Sequence, residues 1–452
     1  MNRSPWLTEL NHDRINQILS GKKKCDLAII GAGIAGVTTA YFALKNTTIS
    51  QVVLLDAGKM AHGATGHNAG QVSAYFERPI HSIAAQYGEK MAAQAQNNLR
   101  DAWNLLPQIL TDLKIDMLPE YCDGFAALST VEQLLEHLEN AKICRNNNAW
   151  YDQISVVPSV KSQIPTQYDG LYHDIAPDTL QKYLETDGEY IGLLKSEKAC
   201  INSALFCEKI VEKLIKTYKS RFAIYEESAV QTIATYPNHQ TICGEKFALT
   251  ASDTVLCTNG FEHLKIIDGT DNQNKVTNTH FHESITGLIG YMSGRVYTTR
   301  FASTAVSFFE QNLESANEAE VYYYLTRRTF DGHKSLVVVG GPEQVLSEKI
   351  RYDILAPATI EYAAIDEFFA HTHYRNLHVV EKYYWHGLMG FTNTGLRIIG
   401  SDTHYAHLWY NIGCNGVGIL TSIFGSWKIS QLLAGNIFEK SVFDPGTESM
   451  PL

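Results

Sequence analysis

Three glycine-rich stretches and one aromatic cluster hold the residues of this 452-residue chain that could do chemistry. The first stretch, Gly31-x-Gly33-x-x-Gly36, follows the apolar run 27–30 directly. In such a pattern the first glycine permits a tight turn, the second lets backbone N–H groups approach a pyrophosphate, and the third lets helix and strand pack closely. The N–H groups of Ile34 and Ala35 then open a helix whose orphan donors and dipole favour a diphosphate. Asp56, with Ala57 after it, closes the next apolar run, 25 residues beyond Gly31. A carboxylate at about that spacing accepts hydrogen bonds from a ribose hydroxyl pair and disfavours a 2′-phosphate. The chemistry implied is dinucleotide binding.

The aromatic cluster is Tyr322-Tyr323-Tyr324, with His386 and Met389 in a later Trp385-His386-Gly387-Leu388-Met389 segment. Strand alternation puts Tyr322 and Tyr324 on one face and Tyr323 on the other. Facing a pocket with His386, they would form an aromatic cage for an ammonium; ordinary sheet packing accounts for them equally well.

The other two glycine-rich stretches change which dinucleotide is expected. A nicotinamide dehydrogenase needs only the first fingerprint, whereas Thr65, Gly66, His67, Asn68, Gly70 and Gln71 form a small-residue loop after the second strand. Backbone there can lie against a large flat ligand. Near the C-terminus, Gly413, Asn415, Gly416 and Val417 precede an apolar helical run over 419–433. That would set a helix N-terminus beside the ring of a reduced flavin, where negative charge gathers.

Elements that must position these residues follow from periodicity. Helices are expected over 83–108, 130–146, 203–218 and 419–433, the last ending at Gly435. Strands are expected over 229–235 and 254–257, and over 284–300, 320–329 and 335–340, rich in Tyr, Val and Thr, with a hairpin turn at Asp331-Gly332. With no internal repeat and no low-complexity linker, the domains should be interleaved rather than strung in series.

Composition narrows the class. A hydrophobic content of 45% with 19% charged residues suits a globular enzyme, and a net charge of −11 leaves no basic stripe for nucleic acid. The acidic balance favours solubility and, by steering, cationic substrates. Eight cysteines at positions 25, 122, 144, 200, 207, 243, 257 and 414 show neither Cys-x-x-Cys nor zinc spacing, so no metal site is expected. No signal peptide and no apolar stretch of about 18 residues is visible, so a cytoplasmic location without a transmembrane segment is expected.

With these motifs in hand, the chain resembles the D-amino-acid oxidase superfamily of FAD oxidoreductases, which includes glycine, sarcosine and γ-glutamylputrescine oxidases. The likeness rests on the fingerprint, the 63–71 loop, Tyr190-Ile191-Gly192-Leu193 leading to Asn202, the Tyr322 to Arg327 stretch with Gly340-Gly341, and Trp385 to Thr392. The loop from Gly66 and the Trp-x-Gly-x-Met-x-Phe-Thr segment look most like the γ-glutamylputrescine oxidase branch. It departs from the family where an Asp and a Pro commonly follow that Thr; Thr394 and Arg397 stand there.

The resemblance implies an α/β FAD/NAD(P)-binding domain, Rossmann-like with a parallel sheet, made of residues 24–80, 190–265 and 385–452. An α+β substrate domain on an antiparallel sheet, 81–189 and 266–384, would interleave with it. Oxidation of a primary or secondary amine at its C–N bond is expected, with hydride passing to flavin N5 and molecular oxygen as acceptor. Two alternatives are an amino-acid oxidase or dehydrogenase feeding a quinone or other carrier, and a non-catalytic FAD-binding partner protein. Tyr322, Tyr324, His386 and Met389 are the candidate substrate-side residues. Val230, Thr258, Asn259, Gly260 and Gly390 are expected around the cofactor only through this resemblance. Glycine-oxidase-like members hold an α-carboxylate with Arg where Met389 stands; Arg327 and Arg397 are candidate replacements, each more readily a structural charge. FAD is expected to bind non-covalently, with attachment through His67, as in dimethylglycine-dehydrogenase-like members, the alternative.

Overall fold

The computed structural model describes residues 2–11, 16–117, 119–260, 264–270, 284–310, 321–346, 359–405 and 407–447. Two sheets organise them. In the first, Phe222–Tyr225, Val52–Leu55, Gly21–Ile30 and Phe247–Leu256 lie parallel in that order. Burial on both faces explains their continuous apolar runs, such as Leu27 to Ile30 and Val52 to Leu55. Phe247–Leu256 forks. Its first half pairs antiparallel with His239–Gly244, and its last residues pair parallel with Leu408–Ile412. The C-terminal stretch thus returns to the strand beside the fingerprint strand.

The helices Ile34–Asn46, Ser203–Tyr218 and Gly418–Leu433 belong to one apolar core with the face of this sheet. Ile34–Asn46 packs along Gly418–Leu433, and Thr38, Thr39 and Asn411 converge on Ser426 Oγ at 2.8–3.0 Å. Both helices therefore begin at the same end of the sheet.

The second sheet runs Glu381–Thr392, Ile285–Tyr297, Lys334–Val345, Val321–Phe330, Thr304–Glu310, Glu120–Leu128, Gly192–Cys200, Gln153–Val156 and Tyr172–Asp174. It is antiparallel except between Thr304–Glu310 and Glu120–Leu128, and between Gln153–Val156 and Tyr172–Asp174. Gln71–Val72, at the end of the small-residue loop, adds onto Gly192–Cys200. Strands Gly192–Cys200 and Glu381–Thr392 therefore belong to the second sheet, although the expected boundaries at 190 and 385 place most of each with the first.

The expected elements are largely present. Ser203–Tyr218 matches its expected span, and Val131–Asn146 starts at a capping box of Thr130 with Gln133. Residue 320, expected to open a strand, lies outside the described residues; the strand is seen from Val321 to Phe330 and turns at Asp331-Gly332 into Lys334–Val345. The helix expected over 83–108 is instead three, Ile80–Tyr87, Glu89–Ala102 and Leu105–Leu113. Gly88, at φ +87°, ends the first. Pro107 has no N–H and its ring would strike the Trp103 carbonyl, so the third must start afresh.

Candidate active site

The fingerprint turn is built by close backbone contact. Gly31 sits at φ +102°, and a Cβ there would lie 2.6 Å from the Cys257 carbonyl oxygen. At Gly36 a Cβ would be 1.8 Å from the Gly31 carbonyl oxygen, so only glycine lets the helix sit this close to the strand end. Asp56 accepts from the Ala32 N–H at 2.7 Å and the Gly58 N–H at 2.8 Å, which ties the two strand ends together. Burial raises its carboxyl above the ordinary value while those two N–H bonds oppose the rise.

The 63–71 loop is held by its own polar side chains. Thr65 Oγ1 accepts the Ile34 N–H at 2.9 Å, at the start of the fingerprint helix. Asn68 donates to Thr65 O and Ser203 Oγ at 2.8 Å and accepts the Gly70 N–H at 2.7 Å. The Trp6 indole N–H donates to the Asn68 carbonyl. His67 Nδ1 lies 3.0 Å from the Gly63 carbonyl, which can only accept, so the proton is on Nδ1. Burial pulls the imidazole down to about 4, so it is neutral at physiological pH.

Between the sheets lies a cavity of about 1000 Å³. Of the residues expected around a cofactor, Gly31, Gly33, Ile34, Ala35, Asp56, Ala57, Thr65, His67, Asn68, Gly70, Gln71, Val230, Thr258, Asn259, Gly416 and Val417 line it. Gly36, Gly66, Gly260, Gly390, Gly413 and Asn415 do not, and support the wall from behind. Gly390 and Asn259 lie in such contact that a Cβ on Gly390 would be 2.0 Å from the Asn259 oxygen. Asn415 accepts the Thr392 N–H at 2.8 Å and donates to Gly413 O at 3.0 Å.

Tyr322, Tyr324 and Met389 also line the cavity. Tyr323 faces the other way and stacks on Phe368, ring centroids 4.4 Å apart. His386 does not reach the cavity. It lies one residue out of phase with Gly387 and Met389, so its ring stands across the sheet beside Tyr291, at 6.0 Å, and its backbone N–H donates to Asn2 Oδ1 at 3.0 Å. Arg327 pairs with Glu185 at 2.9 Å and is likewise not part of the cavity wall.

Glu77, Asp152, Glu343 and Lys198, charged residues that sequence reasoning missed, also line the wall, as do Lys59 and Lys265. Burial, with repulsion from Glu343, pushes Glu77 up to about 8; burial pushes Asp152 to about 7, and Glu343, whose side chain stands open at the cavity edge, is raised in the same direction. Asp152 Oδ1 is buried with no hydrogen-bond partner among the described residues. Burial depresses Lys198, whose ammonium makes long contacts to Gln71 Oε1 at 3.4 Å and Ser307 Oγ at 3.5 Å. Glu77, Asp152, Tyr322 and Glu343 also border a second cavity of about 770 Å³. No periodic signal marks these charges, because the sheet register that gathers them joins distant stretches.

The cavity suits FAD. The helix Gly418–Leu433 presents an N-terminus without a side-chain cap, the helix Ile34–Asn46 has its Ile34 N–H taken by Thr65 and no cap from its own Gly33, and Thr258 Oγ1 has no partner among the described residues. A model of the DAO family, FAD dependent oxidoreductase, matches residues 26–432. The chain belongs to the DAO family of FAD-dependent oxidoreductases.

Individual relatives are distant. The chain is 21% identical over 262 residues to "Probable oxidoreductase OrdL" of Haemophilus influenzae, covering 57% of this chain and 54% of that protein. It is 25% identical over 130 residues to the γ-glutamylputrescine oxidoreductase of Escherichia coli, 29% of each chain. The chain thus matches about half the length of the first relative and less of the second. Among solved structures, the L-proline dehydrogenase of P. horikoshii superposes with a TM-score of 0.68 at 16% identity, over 94% of this chain and 97% of that one. This shared fold agrees with the two-domain architecture expected from sequence. Among the described residues no helix is long and apolar enough to cross a membrane.

Proposed function

We propose that this DAO-family chain oxidises the C–N bond of an amine and passes the electrons to molecular oxygen. The observation that carries this is the wall formed by Glu77, Asp152 and Glu343 with the rings of Tyr322 and Tyr324. Carboxylates and aromatic faces together favour a cation that has shed its water. Met389 offers no charge to a substrate carboxylate.

FAD, when bound, accepts the hydride from the carbon that bears the amine. The chain's own residues must hold that carbon, exclude water and take up a proton, since only a neutral amine gives up hydride readily. Glu77 is placed to take up that proton once a bound ammonium, whose charge opposes the rise to about 8, has favoured its ionised form, and it lies against Gly416 at the mouth of the Gly418–Leu433 helix. Water then hydrolyses the imine to an aldehyde or ketone with release of the amine nitrogen, and oxygen is reduced to hydrogen peroxide. FAD is held by shape and hydrogen bonds without a covalent bond.

The test is a peroxidase-coupled screen of amines, γ-glutamyl-amines and free amino acids. An amine or γ-glutamyl-amine should be turned over faster than any free α-amino acid, with peroxide formed in step. Glycine, sarcosine or a D-amino acid as best substrate would overturn the proposal.

Lys198 supports a second reading, an amino-acid dehydrogenase. A buried ammonium with only long contacts could pair with a substrate carboxylate. Flavin reduction by an amino acid under anaerobic conditions, turnover with an artificial quinone and no peroxide in air would favour it.

A further inference from the structure

We propose that Arg397 is the cation that offsets the charge of the FAD diphosphate. Its side chain is 5% exposed and lines the cavity alongside Gly31, Ile34 and Gly418. Two of its nitrogens are fixed by one residue: Nε donates to Asn411 Oδ1 at 2.6 Å, and Nη2 to the Asn411 carbonyl at 2.9 Å. Asn411 in turn donates to Ser422 O and Ser426 Oγ on the Gly418–Leu433 helix, at 3.1 and 3.0 Å. The guanidinium is thereby fastened to the helix whose N-terminus faces the cavity.

The third nitrogen, Nη1, is buried and has no hydrogen-bond partner among the described residues. No carboxylate among them forms an ion pair with Arg397, and the neighbouring groups that could carry charge are the thiols of Cys257 and Cys414. Burial draws the guanidinium down to about 10. An uncompensated buried charge is strongly destabilising, so a persistent Arg here implies an anion from outside the chain. Two helix N-termini at the same place select a phosphate-type anion.

The experiment compares full-length wild type, R397M and R397K, stripped of flavin and titrated with FAD and separately with riboflavin, which lacks the diphosphate. Loss of a charge-assisted hydrogen bond should weaken FAD binding by R397M on the order of 10- to 100-fold, with R397K between. Riboflavin binding should be unchanged, and inorganic pyrophosphate should compete with FAD on wild type more strongly than on R397M. If R397M does not fold, R397K carries the comparison, since it keeps the charge and loses the fork that binds Asn411. Equal weakening of FAD and riboflavin would assign Arg397 a purely structural role. Unchanged FAD affinity with a raised KM would assign it to a substrate carboxylate. Either result overturns the proposal.

Discussion

Replacing Glu77 by Gln should stabilise the flavin-stripped protein at alkaline pH and leave it unchanged in acid. Below 4.5 the carboxyl is protonated in both folded and unfolded chains, so E77Q and wild type should match. Between 4.5 and about 8 the unfolded chain ionises while the folded one keeps its proton, so wild-type stability falls as pH rises. Above 8 both forms are ionised and the folded state bears the whole cost of a buried carboxylate. At about 1.4 kcal/mol per pH unit this comes to roughly 5 kcal/mol as an upper bound. The opposing charge of Lys198 is already contained in that value, and solvent in the cavity reduces the cost further, so roughly 2–3 kcal/mol is the figure to look for. The assay is urea unfolding of both proteins at pH 4.5, 7 and 9, followed by tryptophan fluorescence. A difference between E77Q and wild type that stays flat over this range would refute the view that Glu77 is desolvated and repelled by Glu343.

Three other outcomes are expected. Acid precipitation of the holoenzyme should release the yellow colour to the supernatant; colour retained in the pellet would mean a covalent bond, with His67, whose proton sits on Nδ1, the first residue to replace. Tyr322→Phe and Tyr324→Phe should raise KM for the amine several-fold with kcat less affected, as loss of a polar contact in a cationic site predicts; unchanged kinetics would make both rings sheet packing. Gly124→Val should cost about 1–3 kcal/mol, because a Cβ there would lie 2.3 Å from Lys198 Cγ and Cδ. Thermal unfolding indistinguishable from wild type would show that the lysine stem moves aside freely.

The part of the candidate site expected to hold the cofactor was legible as structure because it depends on local backbone chemistry. Gly31 and Gly36 announce a turn and a close helix approach within six residues, and Asp56 follows at the end of the neighbouring strand. The contacts at 2.6 and 1.8 Å that any Cβ would meet are what confine these positions to glycine. The supporting residues Gly390, Gly413 and Asn415 were drawn into the expected site by their glycine-rich surroundings, yet they act one layer back. His386 failed for a simpler reason. Counting by two from Met389 already puts it on the opposite face, and the aromatic character of its neighbours obscured that parity.

The part of the candidate site proposed to face a substrate was largely illegible because its charges come from unrelated stretches. Glu77 and Asp152 sit in connecting segments, Glu343 near the end of one strand and Lys198 within another, and no spacing in the chain relates them. Strand Glu120–Leu128 hides its role in the same way: Asp123-Gly124 has the composition of a turn, yet it lies mid-strand. The glycine leaves a groove on the sheet face, and the methylenes of Lys198 from the adjacent strand Gly192–Cys200 occupy it. A residue that looks like punctuation in one dimension is a receptor for a side chain in three. That groove holds the stem of a buried ammonium within the cavity wall, so the Asp-Gly pair serves the candidate active site without touching its contents.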